Sequence, residues 1–423
     1  MSREVERGPD FPASSRASSP SDASPESGAE KQAVEQPAAP PSPPNGGVVA
    51  WLQVVGAFFL FFNSWGVVNT FGVFQSYYED TLLPEYSASS ISWIGTVQGF
   101  LLFIVGVVVG PAFDKGYLKT LIALGTFLVV FGLMMTSLST KYYQVFLAHG
   151  VAVGIGCACL FLPSVATVAT YFSTKRAVAT GIVASGGSIG SVIFPIVFHR
   201  LIGPLGFGWT TRIIGFIALG GAPLLARCDE DASAACKAGP QDRRPLRIQG
   251  VALPHPECGL VLRFHRENIS FYIIAILNAA SVFGRITPGL LADRVGSINT
   301  IIPISLIASV LAFAWIGIRN EAGTIVFAII YGYASGAIVS LPPTIVAKIS
   351  PNLSIVGTRM GMCFTFAGLG LLIGNPIAGT LLDLPKRIFW KAQLFSAVTV
   401  VAGSALFILL RIIMGKKIGG WKM

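Results

Sequence analysis

The sequence predicts an all-α membrane protein built from two pseudo-symmetric helical bundles. Three observations carry that prediction. First, 53% of the 423 residues are hydrophobic and only 12% are charged, with a mean hydropathy of +0.68. A water-facing domain needs roughly a quarter of its residues charged, so lipid is the solvent for most of this chain. Second, apolar runs near the roughly 20 residues needed to cross a bilayer recur along it. They lie at 48–76, 90–112, 118–138, 143–169, 178–199 and 207–226, and again at 270–291, 299–318, 323–347, 360–382 and 390–413. Third, one short loop occurs twice. GPAFDKG (110–116) follows the second run and GLLADRVG (289–296) follows the first run after the gap. Each has a Gly four residues before an Asp and a cation directly after it. Such a repeat suggests a duplicated bundle.

Residues 1–46 are polar and rich in Pro and Ser, with Phe11 as the only aromatic. Such a segment buries too little apolar area to fold and reads as a disordered cytosolic tail. The first bundle spans 47–226. Its loops alternate in charge. The first carries Glu79, Asp80 and Glu85 and no cation, whereas the second carries Lys115 and Lys119 and the fourth Lys175 and Arg176. The bias of Lys and Arg toward the cytosol makes Lys175 and Arg176 topology anchors and puts the N-terminus inside. After Arg176 come Gly181, Ala184, Ser185, Gly186, Gly187, Ser188 and Gly190, small residues that let helix backbones approach closely.

The second half, 269–414 with a cytosolic tail at 415–423, raises a conflict of parity. By its Arg294 and by the repeat, Asp293 belongs on the same side as Asp114. Counting crossings through the seventh apolar run puts it on the other. The polar stretch 227–268 holds Asp229, Glu230, Asp231, Lys237, Arg243, Arg244, Arg263 and Glu267 among others, with Pro at 240, 245, 254 and 256. A charge at the centre of a membrane costs about 2.5–3.5 kcal/mol even on lenient scales. This stretch is therefore expected to be an irregular segment between the bundles at the cytosolic face. Eleven crossings are recognisable where a duplicated six-helix unit would have twelve, with the seventh missing. The rival explanation is an inverted second half.

Other function classes are excluded on composition. The net charge of +10 is spread between apolar runs and not pooled as a nucleic-acid surface. The 6 Cys show no metal-ligand or disulfide spacing, and no metal or cofactor is expected. No helix carries paired acids, a His–Asp set or a Ser–Lys dyad at workable spacing, so the chain does not read as an enzyme.

The paired Asp-loops resemble those of the major facilitator superfamily. GGVVAW (46–51), GAFFLFFNSWGVVNTFGVFQSYY (56–78), YFSTKRAVATGIVASGGSIG (171–190) and LNAASVFGRITPGLLADRVG (277–296) are similar to its monocarboxylate-transporter-like branch in the fungal form. The resemblance implies alternating access of two rocking bundles around a central site, often coupled to protons, in a monomeric multi-pass protein of the plasma membrane. It also implies a small organic substrate, a carboxylate or secondary metabolite. Three positions depart from the mammalian-type pattern. The family's first-span Lys is Asn69, its eighth-span Asp is Ser281, and a fourth-span Arg common in the superfamily aligns with His149; the eighth-span Arg is present as Arg285. These departures point away from lactate-type transport. A degenerate, non-transporting membrane sensor of the same family is the alternative reading.

Several residues then stand out as candidates. Arg285 is a cation inside an apolar run; it either binds a substrate carboxylate bidentately or snorkels or pairs with a carbonyl. His149 either relays protons or is a hydrogen-bonded packing group. Asn69 and Asn278 are either interhelical glue or cavity lining, and Ser281 sits between Asn278 and Arg285. Phe74, with Phe71 and Tyr78, forms an aromatic stripe that is packing, an interfacial belt or a cavity wall. Asp114 with Lys115, and Asp293 with Arg294, read as gate elements. A carboxylate there can accept from the start of a neighbouring helix and stabilise one closed state.

Overall fold

In a computed structural model the protein is described over residues 45–221, 269–350, 353–381 and 390–418, and every described regular element is helical. Among the described residues, ten helices are long and apolar enough to cross a membrane. We label them α1 (Val48–Leu82), α2 (Ala88–Asp114), α3 (Leu118–Thr136), α4 (Tyr142–Tyr171) and then Arg176–Gly220, followed by five more in the second half. The Arg176–Gly220 stretch is two crossings. Gly206, at φ 70 and ψ 174, interrupts it, in a backbone region that glycine adopts without steric cost. Phe198 and Phe207 flank this break, and both rings pack on Phe74, at 4.6 and 6.2 Å. The chain has therefore reversed, and we call 176–205 α5 and 207–220 α6. The second half supplies α7 (Tyr272–Val295), α8 (Ser297–Gly317), α9 (Glu321–Ile349), α10 (Leu353–Ala378) and α11 (Trp390–Gly415).

Hydrogen bonds between helix ends order the two faces of the molecule. Asn45, at the start of α1, donates its N–H to Tyr171 O at the end of α4 (3.1 Å). The Asp293 carboxylate at the end of α7 accepts from Ala177 N and Val178 N at the start of α5 (2.9 and 3.1 Å). Thr344 near the end of α9 donates to Ser297 at the start of α8 (3.1 Å). The Asp114 carboxylate reaches the start of α10. Both Asp-loops thus share one end of the molecule, and the inverted second half is rejected.

The expected inter-bundle segment lies outside the described residues, but its points of attachment do not. At the far end Arg212 donates to Ser137 Oγ, past the end of α3 (3.1 Å). Deeper in, Asn63 of α1 donates to Ala218 O (2.7 Å). Helix α6 therefore runs back toward the Asp-loop end. Tyr272 is 21 residues before Asp293, about 32 Å along a helix, so α7 begins at the far end. The last described turn of α6 and the start of α7 thus lie toward opposite ends of the molecule, as the parity conflict in the sequence requires.

The two halves are unequal for the same reason. Helix α1 packs against α4 and α5 at the centre of the first bundle, and the most apolar window of α4 is 72% buried. The repeat equates α4 and α5 with α9 and α10, but among the described residues no helix takes the place of α1 beside them. The corresponding windows of α10 and α11 are only 17% and 11% buried. Apolar side chains such as Phe366 on α10, 76% exposed, are tolerable there because hydrocarbon and protein interior are similar solvents for them.

The halves meet along two seams, α2 against α10 and α5 against α7. Both rely on backbone proximity that a side chain would block. A Cβ on Gly110 would lie 2.5 Å from Gly357 O, and one on Gly289 would lie 2.8 Å from Ala177 O. Gly110→Leu is therefore expected to hold the halves apart at the Asp-loop end while leaving the protein inserted. Spin labels at Tyr117→Cys and Ile355→Cys, both exposed, would report this as loss of the short-distance population seen in the parent.

Candidate functional site

The α5–α7 seam places most of the candidate polar residues in one column. Arg285 of α7 is 3% exposed. Its Nη1 donates to Ala184 O across the seam, its Nε donates to Ser281 Oγ one turn away (3.3 Å), and its guanidinium lies over the Phe61 ring of α1 at 5.9 Å. Ser188 of α5 donates to the same Ser281 Oγ (3.2 Å). One turn further along α5, Ser191 accepts from Asn69 Nδ2 of α1 (2.9 Å). Asn69, Ser281 and Arg285 thus belong to one polar column shared by α1, α5 and α7. Asn278, a turn from Ser281, donates within its own helix to Ile274 O (3.0 Å).

The sequence explains why the column sits here. Ser188 and Ser191 fall among the glycines that admit α1 closely: Gly190 of α5 and Gly66 of α1 approach so that a Cβ on either would sit within 2.9 Å of the other's Cα. Of the alternatives for Arg285, the carbonyl-paired arrangement is the one present. All three of its partners are neutral, which leaves the charge itself uncompensated by them. An isolated guanidinium in a low-dielectric seam is an attractive place for an anion.

His149 and Phe74 form a second cluster, separate from this column. His149 is fully buried, with Nδ1 2.8 Å from the Tyr78 hydroxyl. Phe74 and Phe71 pack edge-on to its ring at 4.6 and 5.5 Å. The ring therefore faces aromatic groups of its own bundle in this state.

The Asp-loop end closes both seams by one device used twice. Asp114 Oδ1 accepts from Gly357 N and Oδ2 from Thr358 N, both at 2.8 Å, and Thr358 Oγ1 adds a third bond at 2.6 Å. Asp293 repeats this on Ala177 N and Val178 N. A carboxylate on the unpaired N–H groups at a helix start gains both charge-assisted bonds and a favourable dipole. Around Asp293 the cations within electrostatic reach include Arg176 and Lys348 from α5 and α9. Arg176 also caps α4, donating to Phe172 O and Ala169 O (2.8 and 3.1 Å). The adjacent cations Lys115 and Arg294 are exposed.

Sequence reasoning missed Thr358, Ser188, Ser191 and Tyr78 as partners. Ser188 is flagged only by its place in the small-residue ladder. Nothing local singles out Thr358 or links Tyr78 to a residue 71 positions away.

Comparisons with known proteins agree with this architecture. Residues 53–284 match the family model of the Major Facilitator Superfamily. The chain is 43% identical over 385 residues to the MFS-type transporter dbaD of Emericella nidulans, with 85% of each chain covered. It is 37% identical over 405 residues to the aspyridones efflux protein apdF of the same fungus, covering 90% of this chain and 82% of that one. It is 36% identical over 394 residues to the agnestins efflux protein AgnL12 of Paecilomyces divaricatus, covering 86% and 87%. Among solved structures, a point mutant of the nucleoside transporter NupG superposes with a TM-score of 0.52 at 15% identity, covering 85% of this chain and 99% of that one; that likeness concerns the fold alone. Two helical halves related by a repeated Asp-loop, and this similarity over most of the chain, lead to one conclusion: the protein is a multi-pass membrane transporter and belongs to the major facilitator superfamily.

Proposed function

We propose that this transporter exports an organic anion of the secondary-metabolite kind from a fungal cell, by alternating access and in exchange for protons. Arg285 is the observation that carries the reading. A charge inside a membrane helix is costly, and this one rests on a carbonyl, a hydroxyl and a ring face. A carboxylate reaching Arg285 when the seam opens would replace those neutral partners with a bidentate ion pair. The efflux proteins among the relatives favour export over uptake. The Asp-loop end, where Lys115, Lys119, Lys175, Arg176 and Arg294 gather, is then cytosolic, with the N-terminus on the same side. The paired Asp latches are the gate of that side, and the structure corresponds to the state closed to the cytosol. We place the protein in the plasma membrane as a monomer, in the monocarboxylate-transporter-like branch.

The unequal second bundle favours one rival, a family member that has lost transport and kept the fold. Flux from reconstituted vesicles separates the two. Vesicles loaded with a panel of small aromatic and polyketide carboxylates should release at least one in a protein-dependent way, faster with acid outside. A panel-wide absence of flux from correctly inserted protein would favour the rival.

A further inference from the structure

We propose that His149 and Tyr78 form a proton-binding site inside the first bundle, loaded from the end opposite the Asp-loops. The proposal rests on the proton-coupled export reading above and gives the coupled ion a place. The residues come from two different helices, and both helices depart from α geometry here. Tyr78 opens a π-helical turn, Tyr78–Leu82, and His149 lies in another, Phe146–Ala152. Such turns are rare and cluster at functional sites. Here the two are tied by the hydrogen bond between the Tyr78 hydroxyl and His149 Nδ1 (2.8 Å).

The other ring nitrogen, Nε2, is fully buried and has no hydrogen-bond partner. An unmade bond of that kind costs about 1–3 kcal/mol, a cost that packing alone does not require. We assign the tautomer in which Nδ1–H donates to the Tyr78 oxygen, so that Nε2 presents a lone pair. The step is then a single proton transfer: Nε2 takes a proton from hydronium, water is left behind, and the ring becomes imidazolium. Three aromatic rings lie around it, Phe74, Phe71 and Tyr78 itself, with centroids 4.6, 5.5 and 6.1 Å away.

The titratable and charged groups on the surrounding helices leave room for this role. On α1, Tyr77 stacks on Phe207 (4.8 Å), Glu79 accepts from Gln75 (2.8 Å) and Asp80 is exposed, so two carboxylates directly follow Tyr78 in the chain. Helix α2 has no titratable residue before Asp114, and α3 only Lys119 at its other end. On α4, Tyr142 donates to Ser90 O (2.8 Å), Tyr143 is exposed, and Cys157 is two turns deeper. His199 and Arg200 of α5 are exposed, and Arg212 of α6 donates to Ser137 and lies over Trp209.

The test is the pH dependence of the conformational equilibrium, read without any substrate. Spin labels at Tyr117→Cys and Ile355→Cys, with the native cysteines replaced, report the open fraction at the Asp-loop end. In the parent that fraction should change about tenfold, the range of ordinary coupling energies, between pH 5 and 8. His149→Gln should abolish the pH dependence, and Tyr78→Phe should keep it with a displaced midpoint. A His149→Gln protein that retains the parent profile overturns the proposal and leaves export untouched. A parent with no pH dependence overturns both this site and the proton-coupled reading. If the Gln variant does not fold, nitrogen NMR of protein with His149 as its sole histidine decides: titration of Nε2 supports the site, and its absence over pH 5–8 overturns it.

Discussion

Arg285→Gln is expected to reduce solute flux about 100-fold while the protein still accumulates and inserts. Each hydrogen bond to a charged group is worth about 1.5–3 kcal/mol, and a bidentate carboxylate contact has two. Gln is shorter but keeps a polar amide that can bond Ser281, and it removes the charge. Arg285→Lys should restore only part of the flux, because an ammonium lacks the planar fork. Flux at the parent rate in the Gln variant would leave Arg285 as a purely structural tie between α5 and α7 through Ala184. The two roles are also separable by kinetics: loss of anion binding raises KM, whereas loss of a tie alone shifts turnover.

The two Asp latches carry the second large effect. Asp114→Asn keeps one oxygen acceptor and loses the charge that meets the start of α10. The same change at Asp293 weakens the hold on Ala177 and Val178. Each substitution should weaken closure at that end by about 1–3 kcal/mol, a shift of roughly five- to 150-fold in the conformational equilibrium. Turnover should fall with little change in substrate affinity, since neither carboxylate touches the Arg285 column. The double variant should be close to additive, because the latches lie on different seams. Parent turnover in both single variants would remove the gate assignment.

Much of the fold is legible in the sequence because lipid imposes a coarse, length-based code. Every segment that crosses must be helical and apolar for about 20 residues, and the eleven apolar runs fall on the ten long helices found among the described residues. Gly206 separates two of them even though helical hydrogen bonding is nearly continuous across it. The Asp-loops are legible as a repeat, and the repeat rather than the crossing count gives the right sidedness. Their partners are not legible. Asp114 meets Gly357 across 243 positions and Asp293 meets Ala177 across 116, and a backbone N–H donor leaves no mark on the residue that supplies it. The same holds for Arg285, whose cross-seam partner is the carbonyl of Ala184. Asn69 and His149 stand out as polar residues in apolar runs, but their separation into two clusters depends on helix facing, which hydropathy does not encode.

The claim on which everything else depends is that the two halves are related by a parallel repeat with both Asp-loops on one face, despite the odd number of apolar crossings. Sided labelling tests it most directly. Single cysteines at Tyr117 and Val295, both exposed at the ends of the Asp-loops, are placed in sealed vesicles of known orientation and treated with a membrane-impermeant maleimide. The account predicts that both positions label from the same side, the cytosolic one. Labelling of Tyr117→Cys and Val295→Cys from opposite sides would contradict it, and with it the paired latches and the seam that holds Arg285.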